Sequence, residues 1–290
     1  MNKPNFLCLG APKCGTTTLS QVLSQHAEIY VSNKKEINFF NFQNNYNKGL
    51  SWYVNLYFDG AQRYRVAGEF STWYLASEEA PQRIYESLGN NLKFIVILRN
   101  PAKRAYSHFL MEQRTGRENA RRTFEDALFN NRNEKSFYHY INHGFYAHHL
   151  TNYFQWFPRE NFKIIFFEDF IGPKKSLIYQ QIQEFLNVKP QQLETDLHTN
   201  KAITFKNPFI FKFYLKIFKN KTLYNCVKKA LNKISFIKNF IKDITTSNNP
   251  ALSQQMIYAI NNTIYKEDIK QLEQLLSVNL SHWYQKQCKE

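Results

Sequence analysis

Apolar positions fall along this chain in two rhythms. Phe6–Leu9 and Phe94–Leu98 are short unbroken apolar runs, whereas Leu19, Val22 and Leu23, and later Ile84 and Leu88, recur at the spacing of a helix face. On this basis strands are expected at 6–9, 28–31, 65–69, 93–98 and 162–168. Helices are expected after Gly15, around Trp52–Tyr57, and over 78–88, 101–112, 144–157 and 174–186. Residues 44–50 read as a polar turn, and Pro250–Trp283 returns to helical periodicity. Pro101 suits the first position of a helix. The β-branched run 93–98 predicts a strand covered on both faces, as in a parallel sheet, and 162–168 reads the same way. Strands separated by helices predict an α/β fold with right-handed crossovers. Ligands of such sheets sit beyond the carboxyl ends of the strands, which would put the loop around Lys13, Glu69, Arg99 and Glu168 on one rim.

The first of these strand ends carries the most chemistry. Gly10 and Pro12 break the apolar run, and Gly15 with Thr16, Thr17 and Thr18 leads into the first helix. A strand, a tight turn and a helix N-terminus direct unpaired N–H groups and a positive dipole at one point, which suits an anion. A glycine turn with a threonine cap would give the same local pattern. Gly10 and Gly15 are spaced as in a nucleotide-binding P-loop, but Thr16 stands where that motif has lysine, and the lysine lies inside the loop at position 13. The strand Phe94–Leu98 ends in Arg99, so no acidic residue follows it to hold Mg²⁺. The loop therefore fits a phosphate-like group that needs no magnesium, such as a sulfated nucleotide.

Composition changes the picture in one respect. Thirty-eight Lys and Arg against 23 Asp and Glu leave the 290-residue chain at +15, which favours an anionic ligand, substrate or surface. Nucleic acid is a weak candidate partner, because no helix-turn-helix, zinc-ligand or RNP-like pattern accompanies the charge. The four cysteines (Cys8, Cys14, Cys226, Cys288) are scattered. With no basic, apolar leader in residues 1–20, a reduced, cytoplasmic location is expected. No stretch is apolar enough to predict a membrane span. Between 201 and 242 there are eleven lysines and no acidic residue, interleaved with Phe, Ile and Leu. That segment reads either as a helical lid with a solvated face or as a contact for an anionic membrane or a polyanionic substrate.

Two motifs together resemble a family. Pro12–Leu19 looks like the 5′-phosphosulfate loop of sulfotransferases that use 3′-phosphoadenosine-5′-phosphosulfate (PAPS), and Arg99–Ser107 looks like their 3′-phosphate motif. Glu36-Ile-Asn-Phe-Phe-Asn41, Lys48–Tyr53, Ser77–Pro81 and Arg104–Ser107 extend the resemblance to the sulfotransferase domain of heparan sulfate N-deacetylase/N-sulfotransferases. Coverage is good from about 5 to 190, and thin beyond that until Leu280–Trp283. The resemblance implies a P-loop-like parallel sheet flanked by helices in a single domain, 1–290, with a basic helical insertion at about 201–246.

The resemblance also implies roles. Lys13 and the amides of Gly15, Thr16 and Thr17 would stabilise charge on the departing nucleotide, with Cys14 in the same nucleotide-binding loop and the Thr17 and Thr18 hydroxyls at its 5′-phosphate. Arg99 and Ser107 would hold the 3′-phosphate, Arg for its fork geometry. Glu36, opening an E-x-x-F-F motif, would be the general base, the alternative being a loop ion pair with Lys34 or Lys35. Tyr146 either flanks the nucleotide or is a core aromatic. Phe70 stands where heparan-type relatives carry a lysine, which would shift leaving-group stabilisation onto Lys13. The late K-G-R loop of those relatives is not reproduced, and Lys201 is the proposed substitute. His139, His143, His148 and His149 lack the partners of a metal site and read as structural, and no metal is expected. The expected acceptor is saccharide or lipid-linked. Sulfation of a lipid or small hydroxylated metabolite, a magnesium-dependent nucleotide kinase, and a non-catalytic anion- or membrane-binding module are the competing readings.

Overall fold

The computed structural model describes residues 3–119, 122–130, 140–195 and 251–285. The basic segment at 201–246, with Lys201, lies outside them, as do His139, Cys226 and Cys288.

A parallel sheet of five strands organises the described residues, in the order β2-β3-β1-β4-β5. The strands are β1 (Phe6–Gly10), β2 (Ile29–Val31), β3 (Val66–Phe70), β4 (Lys93–Leu98) and β5 (Phe162–Phe166). β1 runs through the middle, with Phe6 opposite Gly68 of β3 on one side and Lys93 of β4 on the other. The α/β fold read from the sequence is therefore present, and the reason is visible in burial. β1 and β3 are buried at every position, and β4 at all but Lys93, so each is covered on both faces, with Glu69 the one charged side chain buried within β3. β5 departs from that reading. It is the edge strand, mostly half-buried, and ends at Phe166 rather than 168.

Helices fill both faces: α1 (Thr16–Leu23), α2 (Gln43–Tyr46), α3 (Gly49–Tyr57), α4 (Ala80–Leu88), α5 (Pro101–Thr115), α6 (Tyr146–Phe154), α7 (Phe167–Ile171), α8 (Lys175–Phe185), α9 (Gln254–Ile260) and α10 (Lys266–Leu276). α7 stands where the end of a strand was expected, α5 runs on to Thr115, and two further differences show their contacts. The polar stretch at 44–50 contains the short helix α2, whose Tyr46 ring lies 5.5 Å from Phe39. The helix expected at 144–157 begins at Tyr146, where the carboxylate of Asp268 in α10 accepts the backbone N–H groups of Ala147 and His148 at 3.1 and 3.0 Å. A cap from so distant a residue leaves no local signature.

The C-terminal helices are tied to the strand ends through one side chain. Asn261, fully buried, accepts from the Ala102 amide at 3.2 Å and donates to Asn100 Oδ1 at 3.1 Å and to the Trp283 carbonyl at 2.7 Å. Asn100 in turn caps α5 by accepting from the Lys103 amide. Asn261→Ala is expected to cost about 2–3 kcal/mol, because it strands buried donors and acceptors on α5. Chemical denaturation measures it, and a loss below about 0.5 kcal/mol would remove this tie from the account.

The strand order sets the location of the site. Chain leaving β1 turns toward β2 and β3, and chain leaving β4 turns toward β5. A crevice therefore opens between the carboxyl ends of β1 and β4, where α/β sheets receive ligands.

Candidate active site

The loop leaving β1 occupies that crevice. Gly10 has φ +138°, and a Cβ there would lie 2.7 Å from the Thr72 carbonyl oxygen, so only glycine lets the two strand exits meet. Lys13 holds a left-handed backbone at φ 71°, and Gly15, at φ 85°, is the N-cap of α1. No N-cap side chain caps α1 and no acidic residue lies in its first turn, so no carboxylate there offsets the positive end of the helix dipole. The Cys14 side chain points the other way, into the core. Burial pushes its thiol up to about 12, which makes it inert, and its contribution to the loop is its backbone.

Three cations converge on this loop. Arg99, one residue beyond β4, donates through Nη1 to the Lys13 carbonyl at 3.2 Å, and its guanidinium lies 4.6 Å from the centre of the Phe167 ring. Its Nε is buried and has no hydrogen-bond partner among the described residues. The Lys13 ammonium rests against the Met111 thioether at 3.3 Å, a weak acceptor for a full charge. Burial, followed by the nearby guanidinium groups of Arg114 and Arg99, brings Lys13 down to about 8. A half-buried lysine crowded by arginines, beside an arginine nitrogen without an acceptor, is a site arranged for an anion.

Tyr146 takes the core alternative. It is fully buried, and its hydroxyl donates to the Arg99 carbonyl at 2.8 Å, which ties it to the strand exit that carries Arg99. Ser107 is half-buried on α5, in the second turn beyond the Arg99 exit. Glu168 is exposed on α7, and Glu69 is not on the rim at all. Glu69 is fully buried and accepts hydroxyls from Tyr53, Tyr74 and Ser71 at 2.8, 2.7 and 2.6 Å. Burial lifts its carboxyl to about 7 against the pull of those three donors.

Glu36 faces the loop from the β2 side. Its own backbone (φ 56°) and that of Asn38 (φ 55°) are left-handed, a conformation held only by surrounding contacts. Those contacts come from the β3 exit. The Glu36 amide donates to the Phe70 carbonyl, the Asn38 amide to Ser71 Oγ, and the Phe39 amide to the Tyr74 hydroxyl. Phe39 and Phe40 are fully buried around Tyr53, with Phe39 stacked on it at 4.5 Å, so the aromatic half of E-x-x-F-F anchors the turn. Thr72 then aims the carboxylate, donating its amide to Oε2 and its hydroxyl to Oε1, both at 2.9 Å. Burial raises the Glu36 pKa, and the Lys35 ammonium and the two Thr72 hydrogen bonds pull it back.

Sequence reasoning missed Thr72, Arg114 and Met111, and treated Lys35 only as a bystander to Glu36. Lys35 reaches across to α1, where its ammonium donates to Thr16 Oγ1 at 3.0 Å and Thr17 Oγ1 at 2.9 Å, and it stands 3.9 Å from Glu36 Oε1. Of the histidines, His149 is buried with Nε2 2.8 Å from the Asn142 carbonyl, and burial lowers it to about 4. His148, beside it, is exposed. Among the described residues no cluster of His, Cys, Asp and Glu is placed to hold a metal ion.

Residues 3–209 match the family described as Sulfotransferase domain. Over 204 residues the chain is 30% identical to the human protein named heparan sulfate glucosamine 3-O-sulfotransferase 5, covering 68% of this chain and 57% of that one. It is also 30% identical over 226 residues to the bifunctional heparan sulfate N-deacetylase/N-sulfotransferase of Drosophila melanogaster, covering 64% of this chain and 20% of the relative. The chain thus spans little more than half of the first relative and a fifth of the second. A solved structure of a sulfotransferase from Alicyclobacillus acidocaldarius superimposes with a TM-score of 0.69 over 98% of this chain and all of that one, at 24% identity, a likeness of fold.

Proposed function

We propose, from the premise that the chain belongs to the sulfotransferase domain family, that it moves a sulfuryl group from PAPS to a hydroxyl or amine of a carbohydrate-type acceptor. The observation that carries the reading is the juxtaposition of the Lys13–Arg99 cation cluster with a carboxylate, Glu36, across the same crevice. PAPS supplies an activated sulfuryl group flanked by phosphates. The residues present fit it. Uncapped α1 amides and Lys13 suit the 5′-phosphosulfate end, and the unpartnered Arg99 Nε and Ser107 suit the 3′-phosphate.

The chemistry follows from these positions. The acceptor oxygen or nitrogen forms a bond to sulfur as the bond from sulfur to the bridging phosphate oxygen breaks. The acceptor proton passes to Glu36, whose raised pKa suits a base that must release that proton afterwards. Charge that develops on the bridging oxygen meets Lys13 and the α1 amides. Adenosine 3′,5′-bisphosphate then departs. A magnesium-dependent kinase is disfavoured by the residue at the β4 exit, because Arg99 is bonded to the loop where a metal-binding acid would stand.

The names of both relatives support a saccharide acceptor, and so does the rim. Trp73, next in the chain to the threonine that aims Glu36, lies 6.2 Å from the exposed Phe42 ring, a pair suited to stacking on a sugar face. Trp73→Ala is expected to raise the acceptor KM about tenfold with kcat little changed, since uniform binding is lost rather than transition-state contact. Incubation with labelled PAPS and a panel of oligosaccharides tests the whole reading. Label on a saccharide supports it, and label only on small hydroxylated lipids or metabolites would replace the acceptor class.

A further inference from the structure

A lysine outside the expected machinery stands between the donor loop and the base. The Lys35 ammonium has three N–H groups. Two are donated to the Thr16 and Thr17 hydroxyls, and the third has no hydrogen-bond acceptor among the described residues, the Glu36 oxygen at 3.9 Å being too far for one. The lysine side chain is 24% exposed, so it reaches this position along the crevice wall rather than from open solvent. Both hydroxyls that accept from it keep their own O–H for donation, and a hydroxyl accepting from a cation is a stronger donor. Lys35 therefore presents a direct charge and two polarised hydroxyls to the same space.

That space lacks the cation expected from β3. Phe70 is 1% exposed and meets Phe6 edge-on at 6.2 Å, so the position is part of the core and cannot supply charge to the crevice. The Lys13 ammonium rests against the Met111 thioether. A sulfuryl group in transit would lie between the α1 N-terminus and Glu36, where Lys35 already stands.

We propose that Lys35 is a catalytic residue whose ammonium contacts the sulfuryl oxygens during transfer, supplying from the β2 side the charge that Phe70 withholds. This rests on the PAPS reading above. Burial lowers the Lys35 pKa, and the neighbouring Glu36 carboxylate and the Cys8 thiol act the other way, so the Glu36 pair helps to hold the charge.

The test uses the full chain with Lys35→Ala, Lys35→Met and Lys35→Arg, each checked for fold by circular dichroism. Transfer from PAPS gives kcat, and calorimetry gives the affinity for adenosine 3′,5′-bisphosphate, which has no sulfuryl group. Lys35→Ala and Lys35→Met are expected to lose about 100-fold in kcat. Their affinity for the bisphosphate should stay within about fivefold of the wild type, and Lys35→Arg should recover part of the rate. A loss of kcat below about threefold, or a bisphosphate affinity that falls as far as kcat, would overturn the assignment and leave Lys35 as a brace for α1. If the wild-type chain neither binds the bisphosphate nor transfers label from PAPS, the underlying reading fails, and the Lys35 role fails with it.

Discussion

Glu36→Gln is expected to lower kcat by about 10²–10⁴-fold while leaving affinity for adenosine 3′,5′-bisphosphate unchanged. Glutamine keeps the shape of the side chain: its carbonyl oxygen can accept from the Thr72 amide while its NH2 donates to the Thr72 hydroxyl, so the left-handed turn at 36–38 should survive. What is lost is the ability to take a proton from the acceptor. As the proposed base, the same carboxylate should set the acid side of the rate profile. Burial raises its pKa, so activity should fall on the acid side as Glu36 becomes protonated, at a higher pH than for an ordinary carboxylate, and that limb should vanish in the variant. Steady-state kinetics across pH measure both, and a variant with full turnover would remove Glu36 as the base.

The second large effect belongs to Lys13. Lys13→Met should lower kcat/KM by about 10²–10³-fold, the scale of losing one preorganised donor at a developing charge. In the free enzyme its ammonium is held at about 8, below the ordinary 10.5, first by burial and then by Arg114 and Arg99. The kcat/KM profile should therefore fall on the alkaline side above about pH 8. The limb in kcat should lie higher, because a bound anion restores the proton. Stability moves in the opposite sense. The unfolded chain binds this proton up to about pH 10.5 and the folded chain only to about 8, so the charged lysine disfavours folding, most fully below pH 8. Lys13→Met should raise the denaturation midpoint of the ligand-free protein at neutral pH, by an amount on the order of 1–2 kcal/mol, while reducing activity. A variant that loses both stability and rate would mean Lys13 is a structural prop.

How much of this was legible in the chain depended on the range of the contacts. β1 and β4 are buried on both faces, so their apolar runs were unambiguous, and the Arg99-Asn100-Pro101 step marked a strand exit and a helix start together. β5 carries a similar run yet lies at the edge, and no local signal separates the two cases. The loop between β1 and α1 was legible because its glycines, lysine and threonines lie within one short stretch. The surroundings of Glu36 were not. Thr72 is 36 positions away, and its approach depends on left-handed backbone at Asn38, which suits asparagine, and at Glu36, which glutamate does not announce. Tyr146 was open between two roles because a buried aromatic and a ligand-facing one share the same helical spacing. The hydroxyl donated to the Arg99 carbonyl is a long-range contact that this spacing does not announce. The position of Lys35 was hidden for a simpler reason: in sequence it adjoins a glutamate, and in space it also meets two threonines of α1.

The central claim is that the crevice between β1 and β4 binds a nucleotide carrying phosphates at both the 5′ and 3′ positions. Calorimetric titration of the wild-type chain with adenosine 3′,5′-bisphosphate and with adenosine 5′-phosphate, in the presence of chelator, tests it directly. The account predicts that the bisphosphate binds at least about 100-fold more tightly, and that Arg99→Ala removes most of that difference. Equal affinity for the two nucleotides, or binding that appears only on adding magnesium, would contradict it.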